Sequence, residues 1–79
     1  MYKLNVYVMG NPITIQSQVD SDEFVKLLVQ LINDQGSSPN WSGWNTFEKI
    51  NKNKSIIPIH IRVRSIDAVE RIEQIQESG

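Results

Sequence analysis

His60 is the only histidine in the chain, and there is no cysteine. A metal or an acid/base centre built on it would need partners at ligand spacing, and there is no His-x-x-x-His, no Glu-x-x-His and no aspartate-rich loop. Ser55 and Ser65 lie near His60 in sequence, but they sit where a turn and a cap are expected, and no Gly-x-Ser-x-Gly elbow exists to sharpen a nucleophile. Asp20 with Glu23, and Glu70 with Glu73, would place two carboxylates side by side on a helix. Acids near a helix start and a solvated helix face account for both pairs. Gly10, Gly36, Gly43 and Gly79 are too scattered to cradle a phosphate. Asn40-Trp41-Ser42 and Asn53-Lys54-Ser55 match the glycosylation pattern, and without a secretory signal they read as chance matches. The expectation is a non-enzymatic protein without metal or cofactor.

Two surfaces remain. The first is basic: Lys49, Lys52, Lys54, Arg62 and Arg64 fall in one segment with His60 between them. On a sheet face, with Tyr7 nearby, they could hold a nucleic-acid backbone and stack a base. The competing reading is an ordinary solvated face, favoured by a formal charge of −1. The second is the stretch SPNWSGW, which presents Trp41 and Trp44. Tryptophan is enriched at interface hot spots, so either ring could anchor a partner. Equally, both could fold back as a lid over a small core.

The elements that would position these residues are legible from periodicity. Val19 to Gly36 reads as one amphipathic helix. Asp20 and Glu23 form a capping box, Val19 and Phe24 a staple, and Gly36 suits a left-handed stop. Phe24, Leu27, Leu28, Leu31 and Ile32 line one face. Before it, Tyr2 to Met9 and the run from Pro12 alternate as two strands of a hairpin turned at Gly10-Asn11, with Leu4, Val6, Ile13 and Ile15 towards the helix. After it, Ser37 to Gly43 is a loop. Trp44 to Asn51 is expected as a strand in preference to a short helix, and Ile56 to Arg64 as a strand with Ile57, Ile59, Ile61 and Val63 on one face. Pro58 demands an edge or a bulge. In Ser65 to Glu77 the apolar residues Ile66, Val69, Ile72 and Ile75 recur every three positions, so a helix is expected. The alternative is a turn at Ile66 and a final strand from Ala68 to Ile75.

The predicted fold is therefore α+β, a single domain over 1–79 with about four antiparallel strands and the helices on one face, in the order ββαββα or, alternatively, ββαβββ. Tyr7, Gln16, His60, Arg62 and Arg64 are expected on the other face. A composition of 39% hydrophobic and 22% charged residues suits an ordered globular chain. No apolar run is long enough to span a bilayer, and a cytoplasmic location is the default expectation. At this size a core supplies only a few kcal/mol, which keeps a homodimer open.

The opening hairpin YKLNVYVMGNPITI, the single helix after it, and the ending W-x-x-F-x-x-I followed by SIIPIHI and VERIE resemble short, mostly uncharacterised proteins of phages and mobile elements of Gram-positive bacteria. The resemblance implies an accessory or host-directed protein that acts by binding. The expected function is thus a small interaction protein, an accessory or inhibitor, whose macromolecular partner is a protein held through the loop of Trp41 and Trp44 or through a sheet edge. The alternative is a nucleic-acid-binding module using the basic face of the strand at 56–64.

Overall fold

The computed structural model describes residues 1–75, which form one antiparallel sheet of five strands and one α-helix. The elements are β1 (Tyr2–Val8), β2 (Asn11–Ser17), α1 (Ser21–Gln35), β3 (Trp44–Ile50), β4 (Ile56–Arg62), a 3-10 turn (Val63–Ser65) and β5 (Ile66–Gln74). In the sheet the strands run β4-β3-β2-β1-β5. The α+β class and the single antiparallel sheet hold. The strand count is five rather than four, and the order ββαβββ fits better than ββαββα.

The helix expected over Ser65–Glu77 is overturned wherever the chain is described; residues 76 and 77 lie outside the described residues. The three-residue spacing has a different cause. Ile66 pairs with Val8 but Ala68 with Tyr7, and Arg71 pairs with Leu4 but Glu73 with Lys3. Asp67 and Ile72 are therefore the extra residues of two bulges. Each bulge resets the alternation, so Ile66 and Val69 both reach the core three positions apart.

The core lies between α1 and one face of the sheet. Phe24 and Leu28 of α1 pack with Leu4 and Val6 of β1, Ile15 of β2 and Val63 of the 3-10 turn, all buried. Phe47 of β3 meets Phe24 with ring centroids 5.6 Å apart and planes inclined at 52°, an attractive tilted aromatic geometry. Leu27, expected on the buried stripe, is exposed, as are Val25 and Val29. The Asp20 cap accepts from the Ser21 backbone N–H at 2.6 Å, while its second oxygen accepts from Arg71 Nη1 at 3.1 Å. One carboxylate thereby ties the start of α1 to β5.

Gly36 closes the helix in a right-handed conformation with φ −61°, not the left-handed one expected. Proximity explains the glycine instead: a Cβ there would clash with the Ile32 carbonyl oxygen and stand 2.9 Å from Arg64 Nη2. No basic residue occupies the last turn of α1. Arg64 brings its cation from outside to the negative end of the helix dipole.

The β1–β2 turn is Met9-Gly10 rather than Gly10-Asn11, since Val8 pairs with Asn11. Both turn residues have positive φ, 52° at Met9 and 85° at Gly10, as a two-residue hairpin of right-handed strands requires. Asparagine normally fills the first position; here it is an exposed methionine. In the β3–β4 hairpin Lys54 has φ 68°, and Asn51 N–H donates to the Ser55 carbonyl at 2.8 Å. Counting alternate pairs from that bond leaves Pro58 in a pair without ladder bonds to β3, so its missing N–H falls on the outer edge of β4. Pro58 is thus an edge-strand residue, one of the two alternatives for it.

Replacing Met9 with Asn should raise stability by about 0.5–1 kcal/mol, because Asn adopts positive φ with less strain. Gly36→Ala should lower it by about 1–3 kcal/mol, since both the Ile32 carbonyl and the Arg64 side chain would have to move. Urea denaturation of the two variants beside the parent chain checks both.

Candidate functional site

Gly43 determines where the two tryptophans go. Its φ of +84° reverses the chain between them, and the buried carbonyl accepts from Val63 N–H at 2.8 Å. A Cβ at Gly43 would meet only Arg62 Cγ, at 3.9 Å, so backbone conformation rather than space requires the glycine. Upstream, Ser38 N–H donates to the Gln35 carbonyl and Trp41 N–H to the Ser38 carbonyl, folding the loop back onto the end of α1. Trp41 is half-buried and packs on the core. Trp44, the first residue of β3, lies on the opposite face and is 50% exposed. The two expectations for these rings therefore divide between them: Trp41 is largely lid, and Trp44 is surface.

Each ring carries an arginine. Arg62 Cζ lies 5.2 Å from the Trp44 ring centroid, and Arg64 Cζ 5.8 Å from that of Trp41. A guanidinium over an aromatic face is held by the ring quadrupole while its N–H edge stays free to donate. The ion pairs among the described residues are Lys3–Glu73 and Arg71–Asp20; neither Arg62 nor Arg64 has a carboxylate partner there. Both arginines border a cleft of about 300 Å3 completed by Gly36, Trp41, Ser42 and Gly43.

On the other side of Arg62 is a second cleft, of about 400 Å3, between the β1–β2 turn and β4. It exists because the sheet splits. β2 and β3 pair only at Ile15–Lys49 and Gln16–Glu48, so Asn11–Thr14 and Trp44–Phe47 diverge. Val8, Ile13, Ile59 and Ile61 wall the opening; Met9, Trp44, His60 and Arg62 surround it.

The basic segment does not form one surface. Arg62 and His60 lie on the face away from α1, opposite Trp44 and Thr46. Lys49 lies across from buried Ile15 and so shares the helix side. Lys52 and Lys54 sit at the hairpin tip, about six residues or roughly 20 Å along the strands from Arg62. Arg64 leaves the strand altogether for the 3-10 turn, which corrects its expected place on the open face. Tyr7 and Gln16 do lie on that face, where polar groups satisfy one another across strands. Tyr7 Oη donates to Glu70 at 3.4 Å, Thr14 Oγ1 to Asn5 at 2.8 Å and Gln16 Nε2 to Glu48 at 2.9 Å. His60 Nδ1 is 2.8 Å from Thr46 Oγ1.

Met9 and the cleft walls did not stand out in the sequence. The Met9 signal was present: an apolar residue preceding Gly10 between two alternating strands, where a tight hairpin favours asparagine.

Trp41→Ala should cost about 2–3 kcal/mol and Trp44→Ala less than about 1 kcal/mol, reflecting their different burial. Urea midpoints of the two variants measure the difference. No protein-family model, curated protein or solved structure was found to match the chain.

Proposed function

We propose that this chain is a small non-enzymatic binding protein that captures a protein partner through Trp44, Met9 and the two tryptophan-stacked arginines. One observation carries the reading: exposed apolar side chains adjoin two cations that have no acid of their own among the described residues. Exposed aromatics and arginines are the residue types that dominate interface energies. A methionine held at positive φ in a solvent-facing turn is costly for a free surface and useful for a contacting one. The resemblance to short phage and mobile-element proteins suits the same role, as an accessory or inhibitor directed at a host protein.

The nucleic-acid reading has less support. A polyanion needs a run of phosphate contacts, and Lys49, Lys52, Lys54, Arg62 and Arg64 are distributed over two faces and a distant tip. Glu48 shares β3 with Lys49, and Glu70 and Glu73 line the opposite edge of the sheet on β5, so acids flank the bases and would repel it.

Affinity capture from an extract of the encoding organism tests the proposal, using the parent chain, Trp44→Ala and Arg62→Ala, with and without nuclease. A single protein should be retained by the parent chain despite nuclease and fall at least about tenfold with either variant, the loss typical of an interface anchor. Retention that survives both substitutions, or that vanishes with nuclease, would refute it. Light scattering of the purified chain shows whether that partner is a second copy.

A further inference from the structure

Resting on that reading, we infer that the surface recognises the last residue of a partner chain: a free terminal carboxylate bound at Arg62 and Arg64, with an aliphatic side chain in the cleft beside Arg62. The two clefts have opposite chemistry and share one wall. Arg62 borders both the one it forms with Arg64, Ser42 and two glycines and the one walled by Val8, Ile13, Ile59 and Ile61. A ligand that fills both must carry a negative charge and an apolar group on the two sides of the Arg62 side chain.

A chain terminus meets that demand directly, because its carboxylate and its side chain leave the same Cα. An internal acidic residue does so less well: in an extended segment the next side chain points to the opposite face, and the one after it is about 7 Å away. The planar fork of an arginine matches a carboxylate with two parallel hydrogen bonds. Stacking on Trp44 orients the Arg62 fork before anything binds, and Trp41 does the same for Arg64. Ser42 adds a hydroxyl donor at the same cleft. The apolar cleft, at about 400 Å3, has room for a leucine- or isoleucine-sized side chain with part of the preceding residue.

The test uses three short probes, each titrated into the 15N-labelled chain: acetyl-Gly-Gly-Leu with a free carboxylate, its C-terminal amide, and acetyl-Gly-Gly-Gly with a free carboxylate. The Trp44 indole and Arg62 Nε resonances report the contact. The leucine acid should saturate with a dissociation constant on the order of 1 mM, as a contact this small allows. The amide and the glycine acid should each be at least about tenfold weaker, the loss expected for a charged hydrogen bond or a buried aliphatic side chain. Arg62→Gln, an exposed substitution whose fold is checked by its urea midpoint, should remove the difference between acid and amide. Equal binding of acid and amide, or no saturation by the leucine acid at roughly ten times the expected constant, would overturn the inference. A thymidine oligonucleotide that shifts the same resonances at lower concentration would also overturn it, in favour of a phosphate ligand. If the peptides fail while Trp44→Ala still abolishes partner capture, the binding surface stands and only the terminal-carboxylate reading falls.

Discussion

The structure depends on burying Phe24 and Leu28 of α1 against Leu4, Val6 and Ile15. These side chains supply most of the fully buried apolar surface in the described chain, and they commit one face of the sheet to the helix. Removal of apolar surface from water is roughly proportional to area, so in a chain this small few other contacts can substitute. Once that face is covered, the opposite face must be solvated. It meets that condition in its middle with cross-strand pairs such as Thr14 with Asn5 and Gln16 with Glu48, while Trp44 and Arg62 at one end of the same face stay outside these pairs.

The end of the molecule that carries Trp41, Trp44, Arg62 and Arg64 is shaped by how the chain crosses from one edge of the sheet to the other. β4 and β5 are consecutive in sequence but lie on opposite edges, and so short a link as Val63–Ser65 requires the two edges to draw together at that end, where β4 and the β1–β2 turn line one cleft. Val63 enters the core during the crossing, and Arg62 and Arg64 on either side of it are driven to different tryptophans. Met9 N–H donates to the Ser65 carbonyl at 3.2 Å, and Gly10 N–H to Asp67 Oδ2 at 2.9 Å. The crossing is thus fastened to the β1–β2 turn. Bulge residue Asp67, dispensable to the ladder, provides one of the fasteners.

The first hairpin, the helix and the strand at Ile56 are legible because each follows a single period, and alternation alone gives the buried faces of β1 and β2; the strand at Trp44 rests on residue type, since Trp44, Phe47 and Ile50 recur every three positions. The last element was misread for a physical reason. The bulge at Asp67 puts Ile66 and Val69 on the core three positions apart, and Ile72, the exposed extra residue of the second bulge, continues the spacing without facing the core; no local signal distinguishes this from a helix face. Gly36 has the expected role at the end of α1 by a different mechanism: the Ile32 carbonyl approaches too closely for a Cβ, and the Arg64 guanidinium beside it is a tertiary contact that the sequence does not announce. For the site, residue type alone points to Trp41 and Trp44 as one surface and to Arg62 and Arg64 as part of another. That they combine depends on Gly43 and on the 3-10 turn, neither of which periodicity reports. The three lysines were grouped with them by sequence adjacency, which a hairpin does not preserve in space.

The position of β5 also bears on how the chain reaches this structure. β1 is flanked by β2, one tight turn away, and by β5, whose Glu70 lies 63 positions from its partner Tyr7. Such a pairing closes a long loop before it gains any contact, and non-local pairings of this kind slow folding. Until β5 docks, β1 presents an open apolar edge bearing Leu4 and Val6. The ββα segment and the β3–β4 hairpin are built from short-range contacts, whereas β5 makes the most distant pairing in the described sheet, beyond the 32-residue separation of Gln16 and Glu48 between β2 and β3. The same pairing fastens the crossing at Val63–Ser65 to the β1–β2 turn, so the arrangement of Arg62 and Arg64 and completion of the sheet depend on one another.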